Sequence, residues 1–413
     1  IAIALSIALT ICTNLVNSQC ETQPEKRKDA PLNLYKGETI FTLNFLNAIN
    51  TLHPKENLFF SPYSLYHVLL LLYFGSEQET KNTLKNGLQL HWTDNKADVR
   101  EAYKFEKKKR EMRNLNSSVE FKSVDHLFFA NEIPIKDCID DLLHNEVSKL
   151  DFLQKPDEQR LSINKFVQDH TKGLIKDILV PGSISVNTKL VVANAAYFKG
   201  AWANKFDAAK TKPEVFYSSP EEREFVQMMS VTGTFNHAAN EKLECHILEM
   251  PYKTSEDTSD ISMFIFLPST QPNALDALLQ RLTGDIISEV VQEGIARQVE
   301  VKIPKFEFEQ TVQLPEVLNL MNLGAVFDPL ANYTSFSSDT NAPIIFDDAV
   351  QKSLIKVNEE GSEAASATVA FSFRSSRPVE PAQFICNHPF VFMIYDYSSR
   401  AVLFTGVYRK PIK

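Results

Sequence analysis

The chain has 413 residues and no linker-like composition, low-complexity tract or internal repeat, so it reads as one large domain rather than several. Apolar residues at 44% and only 12 glycines exclude a disordered or fibrous chain. A formal net charge of −9 excludes general affinity for nucleic acid or anionic membrane, although local patches can differ in sign.

The chain opens on an apolar run, Ile1 to Leu15, too short to span a bilayer, and small residues at Val16 and Ser18 suit signal-peptidase cleavage before Gln19. Residues 1–18 therefore read as a signal peptide truncated at its start, 19–32 as an N-terminal extension and 33–413 as a single domain. The mature protein is expected to be exported, extracellular, soluble and monomeric. Without Cys12, four cysteines remain, Cys20, Cys138, Cys245 and Cys386, with no CxxC spacing. An even count in an exported protein permits disulfides, and scattered cysteines equally fit buried thiols; the pairing weighed is Cys20–Cys138, and no metal site is assigned. Asn116-Ser-Ser and Asn332-Tyr-Thr fit the glycan acceptor pattern.

A Ser/Pro-initiated apolar stretch, Phe60 to Phe74, and an amphipathic one, Leu161 to Leu179, predict helices. Runs rich in Val, Phe and Ile predict strands at Val119 to Ala130, Leu190 to Phe198, Ile261 to Leu267 and Val299 to Phe308. Phe390 to Tyr395 and Ala401 to Tyr408, joined by Asp396-Tyr-Ser-Ser-Arg400, predict an antiparallel hairpin. The mixture is α+β.

One connection breaks the preference of compact domains for short loops. Beyond a strand at Ser353 to Val357, the polar segment 359–386 runs for about thirty residues, a length more often functional than merely connecting. Between Ser362 and Phe373 it has neither Pro nor Gly, and Ser362, Ala364, Ser366, Thr368, Ala370 and Ser372 would line one face of a strand, all of them small. Such a strand could enter the middle of a sheet without overpacking the core beneath it.

Here the residues resemble a family. Asn358 to Ala367 (NEEGSEAASA) looks like the reactive-loop hinge of inhibitory serpins, and Asn57 to Leu65, Ile163 to Leu179, Asn194 to Phe206 and His388 to Phe392 resemble other serpin motifs in the family's order. The resemblance implies three sheets, about nine helices, an exposed reactive-centre loop and a metastable native state that traps a serine protease covalently when the cut loop inserts.

The same resemblance implies roles for particular residues. The hinge would comprise Glu359, Gly361, Ser362, Glu363, Ala364, Ala365, Ser366 and Ala367, and none of its inward positions is bulky, as they typically are in a non-inhibitory carrier or chaperone of this fold. Counting from Gly361 places the scissile bond at Ser375–Ser376; the rival is Arg374–Ser375, an Arg bait for a trypsin-like pocket. Arg377 is weaker because Pro378 would follow the cut. Ser61, Ser64 and Asn194 match polar positions of the shutter beneath the central sheet, with helix capping an alternative for Ser61. Gln351 stands where His is common, which removes a cation from that position. Glu359, Lys305 and Trp202 match the breach at the top of the sheet.

The stretch Arg100 to Arg113 holds seven basic and three acidic residues and matches the helix that binds heparin-like polyanions in some serpins. Arg100, Lys104, Lys107 and Lys108 would share one face, joined by Lys109, Arg110 and Arg113; the alternative is a solvated face with internal pairs Glu106–Arg110 and Lys107–Glu111. A glycosaminoglycan is thus a candidate activator, no cofactor is required, and the partner is a target serine protease. Enzymatic activity finds no G-x-S-x-G, H-E-x-x-H, P-loop or dinucleotide motif, and His126, His237 and His246 fit no ligand spacing.

Overall fold

The computed structural model describes residues 25, 27–116, 119–143, 145–253, 260–339, 344, 346–360 and 380–412. The expected signal peptide, half of the N-terminal extension and the reactive loop from 361 to 379 lie outside them.

Nine α-helices and fourteen strands occur among the described residues. In chain order they are α1 (Ala30–Leu52), β1 (Leu58–Phe60), α2 (Pro62–Gly75), α3 (Gln78–Gly87), α4 (Lys96–Asn116), β2 (Glu120–Ala130), α5 (Asp137–Leu142), β3 (Val147–Leu150), α6 (Pro156–His170) and β4 (Leu190–Lys199). The second half is mainly sheet: β5 (Lys212–Tyr217), β6 (Arg223–Asn240), β7 (Cys245–Pro251), β8 (Ile261–Pro268), α7 (Ala274–Arg281), α8 (Gly284–Val290), β9 (Ile295–Pro304), β10 (Phe306–Gln313), α9 (Leu314–Leu320), β11 (Phe346–Val357), β12 (Ala382–Ile385), β13 (Phe390–Asp396) and β14 (Ala401–Tyr408).

Local chemistry explains the boundaries. Helix α2 starts at Pro62 because the Ser61 hydroxyl accepts the Ser64 N–H, and every residue of α2 is buried, as an apolar sequence on all faces requires. Helix α6 stops at His170, nine residues before the predicted end at Leu179. Lys172 and Gly173 adopt left-handed backbone, and the Asn164 side chain then ties the chain back by exchanging two 2.9 Å bonds with Leu179.

The predicted strand Val299 to Phe308 is two strands in different sheets. Pro304 has no N–H to continue a ladder, and the Lys305 N–H turns to Gln227 O at 2.8 Å, so the chain leaves one sheet as β9 and enters the other as β10.

The smaller sheet has five strands in the order β10-β11-β4-β2-β3. At its centre β4 and β11 are parallel neighbours, paired from Leu190↔Phe346 to Phe198↔Ile355, while β10 and β2 flank them antiparallel. The nine-stranded ladder runs β1-β14-β13-β8-β7-β6-β9-β12, with β5 also paired to β6. Its two parts share the 18-residue β6, whose Arg223–Met228 pair with β5, Met228–His237 with β9 and Asn236–Asn240 with β7. The three expected sheets are therefore present, two of them continuous through one long strand. An aromatic core fills the space between the sheets, where Phe59 stacks on Phe404 at 5.2 Å and Phe308 and Phe392 lie parallel at 6.3 Å. The architecture is α+β.

Candidate functional site

The central β4–β11 pair is an unusual seam. Segment 358–360 leaves the top of β11, and a chain turning back there would run antiparallel to both β11 and β4, since those two are parallel. Evenly spaced but slanted parallel bonds are slightly weaker per residue than antiparallel ones. Replacing one parallel pairing by two antiparallel ones is therefore favourable, provided that the seam opens.

A row of polar side chains crosses the seam. Asn194 on β4 is the register partner of Gln351 on β11 and of Asp125 on β2, so three side chains on three adjacent strands lie in line. Gln351 Nε2 donates to Asn194 Oδ1 at 2.5 Å, and Asn194 Nδ2 donates to Asp125 Oδ1 and Ser64 Oγ, each at 2.8 Å. The start of α2 closes the row from below. Ser61 N–H donates to Gln351 Oε1 at 3.0 Å, Gln351 Nε2 also donates to Ser61 O at 2.8 Å, and Ser64 Oγ donates to Asp125 Oδ1 at 2.5 Å. Ser61 Oγ reaches Leu403 O of the larger sheet at 2.7 Å while capping α2. All of these side chains are buried.

Sequence reasoning missed Asp125. Its signal was available: on β2 it shares a face with Phe121, Leu127 and Phe129, an uncommon place for a carboxylate. Burial pushes the Asp125 carboxyl up to about 6, against the pull of Arg110 and of hydrogen bonds from Ser64 and Ser123. Arg110 Nη1 lies 3.7 Å from Asp125 Oδ2, and Ser123 Oγ donates to the same oxygen at 3.0 Å.

At the top of the seam the structure brings Glu359, Lys305 and Trp202 together. Lys305 Nζ meets Glu359 Oε2 at 2.8 Å, Thr211 Oγ1 donates to Glu359 Oε1 at 2.9 Å, and Phe206 N–H donates to Glu359 O at 3.1 Å. Trp202 stacks on Tyr252 with 4.4 Å between ring centroids and donates its Nε1–H to Asn358 O at 3.0 Å. Burial raises the Glu359 pKa, but Lys305, a backbone N–H and Thr211 outweigh it and hold the carboxyl below its ordinary range. Of the hinge, only Glu359 is described; Gly361, Ser362, Glu363, Ala364, Ala365, Ser366 and Ala367 lie outside the described residues, as do Arg374, Ser375 and Ser376.

The basic residues of α4 are not presented as one face. Arg110 turns inward, its side chain 14% exposed, against Asp125 and over the Tyr63 ring. Lys107 pairs with Glu146 at 2.8 Å, and Lys109 donates to Ser398 O. Arg100 and Lys104 both approach Glu101, at 3.6 and 3.8 Å, and Lys104 and Lys108 are exposed; the Arg113 and Asn116 side chains are not among those described. The helix-internal pairs are replaced as well, since Glu106 accepts from the hydroxyls of Tyr35 and Tyr63. Spacing along a helix groups charges but does not say which face packs.

Cys138 is disulfide-bonded, and Cys20, the partner weighed for it, lies outside the described residues. Cys245 and Cys386 are free and buried. Asn332 donates its amide to Gln78 Oε1 at 3.3 Å, and its Oδ1 accepts from Thr334 of the same acceptor motif. Among the described residues no group of three or more His, Cys, Asp or Glu is placed to hold a metal ion, and no helix is long and apolar enough to cross a membrane.

Comparison with known proteins agrees with this geometry. A family profile described as "Serpin (serine protease inhibitor)" matches residues 36–411. Serine protease inhibitor 88Ea of Drosophila melanogaster is 43% identical over 404 residues, covering 95% of this chain and 94% of the relative. Human serpin B3 is 30% identical over 376 residues, covering 86% and 94%. A solved structure of a tumour-suppressing serpin superposes with a TM-score of 0.79 at 22% identity, covering 92% of this chain and 99% of that one.

Proposed function

The chain belongs to the serpin family, whose members are in general inhibitors of serine proteases, and on that premise we propose that it is a suicide-substrate inhibitor of a trypsin- or chymotrypsin-like enzyme. The observation that carries this reading is the bare β4–β11 seam, directly followed in sequence by a segment whose alternate residues are all small.

The target's serine attacks the carbonyl of Ser375, or of Arg374 in the rival register, and the peptide bond breaks as the ester forms. The freed end of the loop then enters the seam from Gly361 onward, antiparallel to β4 and β11, with Ser362, Ala364, Ser366, Thr368, Ala370 and Ser372 facing the core. Twelve residues at roughly 3.3 Å each carry the tethered protease about 40 Å. Distortion of its oxyanion hole removes the stabilisation that deacylation requires, and the ester persists. The protein is consumed rather than turned over, and acts as an inhibitor rather than an enzyme.

Secretion into a compartment with an extracellular proteolytic cascade is supported by the apolar start of the chain and by the disulfide at Cys138, a bond rare in reducing compartments. Glycans at Asn116 and Asn332 belong to the same reading. A sulfated polyanion would act through Lys104 and Lys108, the exposed cations of α4.

The test is incubation with a panel of trypsin-like and chymotrypsin-like proteases. An SDS-stable complex is expected, and the mass of the released C-terminal peptide fixes the bond by beginning at Ser376 or at Ser375. Cleavage without any stable complex would support a carrier or chaperone of the same fold instead.

A further inference from the structure

We propose that the Asp125 carboxyl is a proton-operated latch on the β4–β11 seam: protonated it holds the seam closed, and ionised it leaves the seam ready to part. This rests on the loop-insertion reading and adds a control to it.

Asp125, Asn194 and Gln351 form a single row, and the bond that spans the seam, Gln351 Nε2 to Asn194 Oδ1, depends on the orientation that Asp125 Oδ1 imposes on the Asn194 amide. The two carboxyl oxygens differ. Oδ1 accepts from Ser64 and Asn194, whereas Oδ2 accepts from Ser123 alone and faces Arg110 at 3.7 Å, too far for a charge-assisted hydrogen bond. A proton therefore goes to Oδ2 and is donated to Ser123 Oγ, whose own hydroxyl hydrogen rotates away. The bonds at Oδ1 survive and the buried charge disappears. Parting the strands separates Gln351 from Asn194 and admits water to the row. Water stabilises a carboxylate far more than a neutral acid, so the ionised form gains more from opening.

Charged and titratable groups from several elements surround Asp125. From α4 it is faced by Arg110, with Glu106 and Tyr103 behind, and from the chain ahead of β3 by Glu146. Helix α2 contributes Tyr63 and His67, and burial holds His67 near 3, so it stays neutral throughout. His126 next in sequence, held near 4 chiefly by burial, lies on the other face of β2. Asn194 and Gln351, the contributions of β4 and β11, do not titrate. With its closed-state value raised to about 6 from 3.8, Asp125 favours the closed seam fully below about 3.8, and that preference is lost as pH rises through about 6. A neutral or slightly alkaline fluid leaves the inhibitor competent, and acidification restrains it.

The experiment uses the intact native protein and a synthetic end-blocked peptide with the sequence of residues 362–373, Glu363 replaced by Gln so that the peptide carries no titrating side chain. Its incorporation into the sheet is timed between pH 5 and 8. The rate is expected to fall about tenfold from pH 7.5 to 5, because a carboxyl titrating at about 6 in the closed seam is about nine-tenths protonated at pH 5, with an inflection near 6. Asp125→Asn is expected to insert slowly at every pH, without the inflection. Ser123→Ala keeps the carboxyl but removes a hydrogen bond to its ionised form, and shifts the inflection upward; it decides the matter if Asp125→Asn does not fold. A flat profile in the native protein, or an inflection that persists in Asp125→Asn, overturns the latch. Absence of insertion at any pH overturns the insertion reading itself, and the latch with it.

Discussion

At the scale of single residues, a few buried side-chain hydrogen bonds tie the seam together beside its backbone ladder. Gln351 makes three of them, to Ser61 N–H, Ser61 O and Asn194 Oδ1, and it is fully buried. Gln351→Ala would leave the Ser61 N–H and Asn194 Oδ1 without partners, costing the uncleaved protein about 2 kcal/mol. In the cleaved form, the strand that the proposed mechanism inserts would already separate Gln351 from Asn194, so the loss there should be smaller. Thermal midpoints of both forms check this, and equal losses would contradict it. At the breach, Glu359 sits below its ordinary pKa, so the Lys305 pair contributes above about pH 4.5 and fades in acid. Lys305 is half exposed, which limits that pair to about 1 kcal/mol or less. Lys305→Ala is accordingly expected to cost at most that amount at pH 7 and close to nothing at pH 3, measured by denaturant unfolding at the two values. The sequence disclosed Ser61, Ser64, Asn194, Gln351, Glu359, Lys305 and Trp202 through their motifs. Asp125 escaped because a lone acid in a strand gains meaning only from its register partners, and Arg110 was misread because charge spacing cannot reveal which helix face packs.

At the scale of elements, the arrangement turns on a parallel pair that a third strand could divide. The sequence made most strands legible because apolar runs bounded by turn residues survive any topology; β2, β4, β8, β13 and β14 lie within a residue or two of their predicted ends. Its failures were of connection. The run Val299 to Phe308 looks continuous because apolar residues alternate along it, but the buried positions shift from Val299, Val301 and Ile303 to Phe306 and Phe308 across Pro304, where the sheet changes. Helix α6 was overextended for the opposite reason, since residues 171–179 keep helical apolar spacing while left-handed backbone at Lys172 and Gly173 ends the helix. For the loop, parity is the testable property. Thr368→Arg places a long cation on the face that must enter the core, whereas Val369→Arg places it on the outer face. The first is expected to convert most encounters with a protease into plain cleavage, and the second to leave the yield of covalent complex nearly unchanged. Titration of inhibitor against active enzyme reads the difference, and equal yields from the two variants would contradict the assigned face.

At the scale of the whole molecule, the account holds that the uncleaved fold is not the most stable arrangement this chain can adopt. Under the proposed function, the five-stranded sheet, with its parallel seam closed by a polar row below and an ion pair above, would accept a sixth strand from the chain's own sequence. Everything proposed about inhibition depends on that reserve of stability. The most direct measurement is thermal unfolding of the protein before and after a single protease cut between Arg374 and Ser376, with no protease retained. For a domain of this size each kcal/mol displaces the midpoint by a few degrees, so insertion of the twelve-residue strand should raise it by roughly 10 °C or more. An unchanged or lowered midpoint after a clean cut would contradict the account.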